Sequence, residues 1–236
     1  MLNLPIIGGM ATMPSREENL KEVLPEILNQ VDFLYIYLDK YEYIPTFLHE
    51  FPKIKIIENL NLGCTGKFKG LHLYDNDCIY FGFDDDIIYP NNYVDHLVKC
   101  LADKNYKAVV GVHGSIIKKP FNSFVKDKLV FHFADFLAEA NYTDTLGCGT
   151  IAFHSAFYRP NISSWAEKNM DDLNVMQECV KQKIKRVCVP RPKNFLKKFN
   201  GPGPQEDSIW FQVLINDDKQ TKFVQKLIRD YPSYFF

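Results

Sequence analysis

Short apolar runs and amphipathic helical runs alternate through roughly the first 110 residues, and that alternation dictates a mostly parallel sheet with helices packed on its faces. Leu4–Thr12, "LPIIGGMAT", is apolar and ends in turn residues, so it reads as a buried first strand. Ser15 followed three residues later by Glu18 has the form of a capping box. Behind it Leu20, Val23, Leu24, Ile27 and Leu28 recur at helical spacing. Pro25 is expected to kink or shorten that helix. Val31–Asp39 reads as the second strand, 53–59 ("KIKIIEN") as the third and Cys78–Phe83 as the fourth. A helix over 91–103 and a fifth strand over Ala108–Gly114 follow.

Beyond Gly114 the pattern loosens. Lys118, Lys119, Lys126 and Lys128 lie among aromatics without clean periodicity. Residues 145–155, "TLGCGTIAFHS", are Gly-rich and then apolar. Residues 169–184 form a helix with Met170, Leu173, Met176, Val180 and Ile184 on one stripe, and "RVCVP" is a short strand. Residues 191–207, "RPKNFLKKFNGPGPQED", are basic and rich in Pro and Gly. With hinges at Gly201, Pro202 and Gly203 they read as a lid that excludes water, against the plain alternative of a surface loop.

At 236 residues, 46% hydrophobic, the chain has ample apolar mass for one α/β domain. A net charge of -1 argues against a nucleic-acid binder that relies on global positive charge. No apolar run approaches the ~18–20 residues of a membrane span, and the N-terminus lacks the basic region of a signal peptide. Six cysteines scattered without a Cys-x-x-Cys pair fit buried thiols in a reducing compartment. The expected location is therefore cytoplasmic, with peripheral attachment to the inner membrane face left open by the aromatic C-terminus. The triplets at Asn141 and Asn161 read as chance glycosylation patterns.

Parallel sheets bind ligands at the carboxyl ends of their strands, and Thr12, Asp39 and Asp84–Asp86 all fall at such ends. Three adjacent carboxylates repel one another unless a positive partner shares the charge. In an extended segment Asp84 and Asp86 would point one way and Asp85 the other. Two carboxylates with room for phosphate oxygens and water suit a hard cation, Mg²⁺ or Mn²⁺; the competing reading is a set of turn formers before the next helix. Asp171-Asp172 is a second acidic pair, though acids in a helix's first turn are favoured by the dipole alone. Adjacent helical residues diverge by about 100°, so only one of the two faces a common site. Gly147-Cys-Gly149 allows a close backbone approach to a ligand or forms a plain turn. The six histidines show no metal-ligand spacing.

Taken in order, Pro14-x-Arg16, the strand ending "LDKYEYIP", Gly66-Lys67-Phe68, Asp84-Asp-Asp-Ile-Ile-Tyr-Pro90, Val110-Gly-Val-His-Gly114, Leu146-Gly-x-Gly-Thr150 and Cys188-Val-Pro-Arg-x-Lys-Asn194 resemble the small bacterial α-N-acetylglucosaminyltransferases of heparosan-type capsule synthesis. These are GT-A fold enzymes, and exostosin-type domains are more faintly similar. The resemblance implies an α/β GT-A fold: a Rossmann-like, mostly parallel sheet with helices on both faces. It implies one domain over 1–236, with a nucleotide-binding half over about 1–114 and an acceptor-binding half over about 115–236. It further implies a UDP-sugar donor, most simply UDP-N-acetylglucosamine, and a glycan acceptor, anionic or lipid-linked. A partner glycosyltransferase, Mn²⁺ or Mg²⁺ as cofactor, and retention of the anomeric configuration also follow from it.

Carried residue by residue, the resemblance makes Asp86 the direct metal ligand, with Asp84 reaching the ribose or the metal through water. Thr12, Pro14, Arg16, Asp39, Lys67, Asp85, Gly147, Gly149, Arg191 and Lys193 join Asp84 on the donor. Asp172 sits at the anomeric centre or acceptor hydroxyl, with Asp171 as its hydrogen-bonded neighbour. Two departures from the pattern stand out: no histidine follows His154 to complete a metal shell, and Phe211-Gln212 follow Trp210 where exostosin-type relatives carry basic residues. Independently, the lysines of 118–128, with Lys118 and Lys119 as the acceptor contacts, lie beside Phe121, Phe124 and the later Phe131 and suit an anionic sugar chain. Two competing readings are a nucleotidyltransferase, for which Met13-Pro14 interrupts the glycine cradle, and a non-catalytic module that binds a nucleotide sugar or glycan.

Overall fold

The computed structural model describes residues 2–58, 60–165, 167–199 and 208–235. Strand β1 (Ile6–Thr12) lies between two parallel neighbours, β2 (Phe33–Leu38) and β4 (Ile79–Phe83), while β3 (Ile54–Glu58) flanks β2. The chain thus builds outward from β1 to β3, then returns to the other side of β1 to lay down β4. A short β5 (Ile87–Ile88) follows, then β6 (Val109–Gly111), β7 (Gly114–Ile117), β8 (Lys128–Phe131), β9 (Asn141–Tyr142), β10 (Thr145–Leu146), β11 (Ile151–His154), β12 (Arg186–Cys188) and β13 (Lys197–Lys198). The main sheet has the order β3-β2-β1-β4-β11-β6-β12-β9; β10-β7-β8 form a second sheet and β13-β5 a third.

The helices are α1 (Glu17–Leu28), α2 (Tyr93–Ala102), α3 (Asp171–Gln182), α4 (Ile209–Ile215), α5 (Asp218–Asp230) and α6 (Pro232–Phe235). On one face of the sheet α1 and α2 bury Leu20, Leu24, Ile27, Leu97 and Leu101 against Ile36, Phe81 and Val110. On the other, Phe68 and Leu71 of a 3-10 stretch, Gly63–His72, pack with Tyr80, Phe153, Val175 and Cys179. A third cluster joins α3 to α5 through Met176, Val180, Val224 and Leu227. Each such fully buried aliphatic or aromatic side chain stabilises the fold by about 1.5–3 kcal/mol. The six cysteines are free thiols, as their spacing implied.

Three expectations are corrected. The run Ala108–Gly114 is two strands: the chain leaves the main sheet at Val112–His113, where the His113 amide donates to Thr150 Oγ1 at 3.1 Å. The capping box does not form, because Pro14 opens a 3-10 turn over Pro14–Arg16 that takes in Ser15; α1 starts at Glu17 with no side-chain cap. Pro25 neither breaks nor ends α1, which continues to Leu28. Within this mostly parallel sheet β11 is antiparallel to both β4 and β6.

Strand β1 tolerates little above Gly9, where a Cβ would stand 1.9 Å from the Lys67 carbonyl oxygen and 2.0 Å from the Tyr80 hydroxyl. Gly9→Ala is expected to destabilise the protein by about 3 kcal/mol, because a backbone oxygen has nowhere to retreat. A urea unfolding midpoint within error of the unsubstituted protein would contradict this packing.

Candidate active site

The strand order reverses between β1 and β4, so their carboxyl ends border the crevice where open α/β sheets bind ligands. Thr12 closes β1 and Asp84 follows β4. The Thr12 hydroxyl donates to Asp85 Oδ2 at 2.7 Å, joining the two strand ends across that crevice. The acidic triplet is a tight turn rather than an extended segment, so side chains do not simply alternate. Asp85 turns to Thr12, Asp86 faces the buried Arg16 guanidinium at 3.9 Å, and Asp84 pairs with the Lys67 ammonium. Burial pushes the Asp85 carboxyl up to about 7. Burial and the neighbouring Asp84 charge raise Asp86 as well.

Lys67 is the hub of the site. It lies in the 3-10 stretch under β1 and is only 6% exposed. Burial opposes its charge, but Asp84 and Asp171 outweigh that and hold the ammonium well above its ordinary value. Asp171, 4% exposed, accepts from the Thr65 hydroxyl at 2.8 Å and leaves its second oxygen buried without a partner. Asp172, next along α3, is less buried and accepts from the Cys148 amide at 2.8 Å. Burial raises both carboxyls, and the Lys67 charge pulls both back down. The two acidic motifs, some ninety residues apart in sequence, therefore converge on one ammonium.

The two glycines of the turn have different neighbours: Gly147 packs on the His113 side chain and Gly149 on the Asp84 carboxylate. A Cβ at Gly149 would fall 1.9 Å from Asp84 Oδ2, so only glycine leaves room for that side chain. Tyr89, fully buried, accepts from the Asp84 amide at 2.8 Å and donates to the Gly149 carbonyl at 2.6 Å, tying the acidic turn to the glycine turn. Tyr80 donates likewise to the Lys67 carbonyl at 2.5 Å. Asp39 follows β2 with its amide donating to Thr12 O at 2.8 Å, and Pro14 lies exposed in the 3-10 turn. Thr65, Tyr80 and Tyr89 carried no distinguishing signal in the sequence beyond their closeness to Lys67 and to the acidic triplet.

Other expected site residues sit elsewhere. The Arg191 guanidinium, 3% exposed, donates to the carbonyls of Val189 and His132 and to the Cys188 thiol, and so braces the loop that follows β12. Lys193 is exposed in a turn. Lys118 and Lys119 are exposed past the end of β7; at ~3.3 Å per residue, that strand carries them about 13 Å from Gly114. The basic and aromatic association forms instead around Lys128, whose Nζ lies 3.8 Å from the Phe124 ring centroid and 4.9 Å from that of Trp210. Burial brings the Lys128 pKa down to about 8.

The first part of the expected lid is pinned to the acidic turn: β13 pairs with β5, and the Phe199 amide donates to Asp86 O at 2.7 Å. The hinge residues Gly201, Pro202 and Gly203 lie outside the described residues.

Among the described residues no set of three or more His, Cys, Asp or Glu converges as a metal centre. The donor set at the crevice nevertheless fits a hard divalent ion. Asp84 and Asp86 offer carboxylate oxygen only, and both are partly accessible. Burial and mutual repulsion already penalise the charge on Asp86, which a cation would offset. Such an ion would take its remaining ligands from phosphate oxygens and water.

Two outcomes follow from this geometry. Lys67→Met, which strands a buried Asp171, is expected to cost about 3 kcal/mol, of which adding Asp171→Asn recovers at least ~1 kcal/mol. Additive losses in urea unfolding would show the two side chains uncoupled. The second concerns His113, whose imidazole burial holds down to about 3 and whose Nδ1 is buried without a partner. Its folded pKa is depressed, so its contribution to stability is complete above the unfolded value near 6.5 and is lost as pH falls towards 3. His113→Phe should flatten the unfolding midpoint between pH 6 and 4, at about 1.4 kcal/mol per pH unit; unchanged pH dependence would refute the buried neutral ring.

No protein-family model matches the sequence, and no curated protein matches it. Solved structures do share its fold. GalNAc-T7 with UDP, GalNAc and Mn²⁺ superposes with a TM-score of 0.60 at 11% identity, covering 85% of this chain and 45% of its own. The mannosyltransferase PcManGT from Pyrobaculum calidifontis, in complex with GDP-Man and Mn²⁺, gives 0.57 at 13% identity, covering 95% and 63%. S. aureus TarS 1-349 in complex with UDP-GlcNAc gives 0.51 at 13% identity, covering 86% and 60%. The chain thus has the GT-A fold, and it spans about half to two thirds of the length of these proteins. No helix among the described residues is long and apolar enough to cross a membrane.

Proposed function

We propose that the protein is a metal-dependent glycosyltransferase that moves a sugar from a nucleotide-sugar donor to a glycan acceptor. The observation that carries this reading is the joint placement of Asp84–Asp86 and Asp171–Asp172 around Lys67, at the strand-order reversal of a GT-A sheet. The solved structures of like fold were determined with UDP, GDP-Man or UDP-GlcNAc, two of them with Mn²⁺. That supports a nucleotide-sugar donor and a divalent ion. The sequence resemblance favours UDP-N-acetylglucosamine as donor and a capsule-type acceptor, and the aromatic-flanked Lys128 supports an anionic, uronate-ended one.

In this reading the diphosphate lies across the carboxyl ends of β1 and β4, with Thr12, Arg16 and Asp39 lining the nucleoside side. Asp84 and Asp86 hold Mn²⁺ or Mg²⁺, which when bound acts as a Lewis acid on the leaving diphosphate. Lys67 fixes Asp84, Tyr89 fixes its backbone, and Gly149 gives it room, so the carboxylate is held in place before the donor arrives. Asp172, anchored by the Cys148 amide, faces the anomeric carbon or the acceptor hydroxyl. The bond from that carbon to the phosphate oxygen breaks while the acceptor oxygen bonds to the carbon. In a retaining, front-face route the acceptor proton passes to the departing phosphate, which leaves Asp172 to stabilise and orient rather than to act as base.

Incubation with UDP-N-acetylglucosamine, Mn²⁺ and an acceptor array is expected to yield UDP and a glycosylated product. Asp86→Ala should lower kcat by about 10²–10³-fold, the equivalent of several kcal/mol of lost transition-state stabilisation. Binding of donor without turnover would favour the non-catalytic module, and pyrophosphate release from UTP the nucleotidyltransferase.

A further inference from the structure

At the edge of the sheet opposite the acidic turn, two loops and an edge strand enclose a cavity of about 410 Å³, which is within the range of small-ligand sites. The α2–β6 loop contributes Asp103, Lys104, Asn105 and Lys107; the α3–β12 loop contributes Lys183 and Lys185; β9 contributes Tyr142. β6 and β12 are parallel to each other, and both enter the sheet beside this cavity. α3 connects the two ends of the molecule, and its 12 residues hold the cavity about 18 Å from Asp171.

Among the described residues none of the four lysines makes an ion pair. Their one recorded partner is the Tyr142 ring, itself 58% exposed, with Lys185 Nζ at 5.2 Å and Lys104 Nζ at 6.0 Å from its centroid. The plain explanation is that lysines favour helix C-termini, and α2 and α3 both end here. The magnitudes do not close on that basis. Two helix ends supply about half a negative charge each, and Asp103 supplies one more, against the four lysines that line the cavity. About two positive charges remain uncompensated, in a chain whose net charge is -1.

The loops that carry these charges are held before any ligand arrives. Asn105, Tyr106 and Lys183 adopt left-handed backbone conformations, with φ of 54°, 57° and 58°. The Tyr106 amide donates to Leu101 O at 2.8 Å, Ile184 to Cys179 O at 2.8 Å, and Val109 to Lys185 O at 3.0 Å. The backbone from which the four lysines project is therefore fixed, while the side chains of Lys107, Lys183 and Lys185 are exposed.

The geometry points to a second ligand site here, formed by Lys104, Lys107, Lys183, Lys185 and Tyr142, for the phosphate group of a small ligand, either a sugar phosphate or a free phosphate or pyrophosphate anion. A compact dianion matches the charge excess and the cavity size, and lysine ammonium groups bind phosphate as point charges without bidentate geometry. The site stands apart from the acidic crevice, so it does not depend on the transfer reaction proposed above.

Inorganic pyrophosphate titrated without divalent cation, followed by amide NMR and calorimetry, tests the assignment. Shifts are expected at residues 103–107, Tyr142 and 183–185. Lys107→Gln combined with Lys185→Gln should weaken binding at least about tenfold with an unchanged unfolding midpoint, whereas Asp103→Asn should tighten it. Competition by glucose 1-phosphate identifies the sugar phosphate as the source, and competition by phosphate alone identifies the free anion. Shifts confined to the acidic crevice, equal affinity in the lysine variants, or a uronate oligosaccharide that binds this cavity more tightly than pyrophosphate would each overturn the proposal.

Discussion

The arrangement of the crevice depends on one buried cation. Lys67 lies beneath β1 with its ammonium against Asp84 and within the field of Asp171 and Asp172. A charge with so little solvent would cost several kcal/mol if it stood alone. It is tolerable because acids from two distant segments share it, and each of those acids is in turn tolerable because of Lys67. The pair also fixes orientation: Tyr80 holds the Lys67 carbonyl while Tyr89 holds the Asp84 amide. The carboxylate is thus set from both its side-chain and its backbone ends. Positioning of this kind suits a site that must meet a developing charge without reorganising.

The sheet explains why these residues meet at all. Because β4 returns beside β1, the end of the first strand and the end of the fourth become neighbours, and Thr12 can reach Asp85. The antiparallel β11 on the far side of β4 then brings the glycine turn that precedes it up against Asp84. The same turn offers the Cys148 amide to Asp172. Three separate chain segments therefore converge through backbone topology, and the side chains add hydrogen bonds to an approach the strands already impose.

Much of this was legible in the sequence. Four strands, α1, α2 and α3 follow from apolar periodicity, and the acidic turn, Thr12 and Asp39 follow from their place at strand ends. What escaped was whatever depends on contacts remote in sequence. The hydrogen bond that Arg191 gives to the His132 carbonyl, fifty-nine residues away, is one that no local pattern reveals. For Gly149 the sequence leaves a ligand approach and a plain turn both open, because the close neighbour that excludes a side chain, Asp84, lies sixty-five residues away. The antiparallel β11 escaped because an apolar four-residue run has the same appearance in either direction. Within the lysines of 118–128 the sequence does not single out Lys128, because its place between Phe124 and Trp210 is a tertiary property.

The electrostatic balance of the crevice bears on the proposed chemistry. Asp84, Asp85, Asp86, Asp171 and Asp172 bring five carboxylates together, with Arg16 and Lys67 against them and the Lys198 charge also felt at Asp86. The consequence is visible in the carboxyls themselves: burial and neighbouring charge raise Asp85, Asp86, Asp171 and Asp172, so protons would compete with any divalent ion for the same negative charge. A site built only for stability would substitute apolar side chains, since buried charge clusters seldom stabilise a fold on balance. Keeping five acids at a crevice rim is a stability cost that makes physical sense where a cation and a diphosphate arrive together. The ion then offsets the carboxylates on one side and the phosphates on the other, and each partner lowers the cost of desolvating the next.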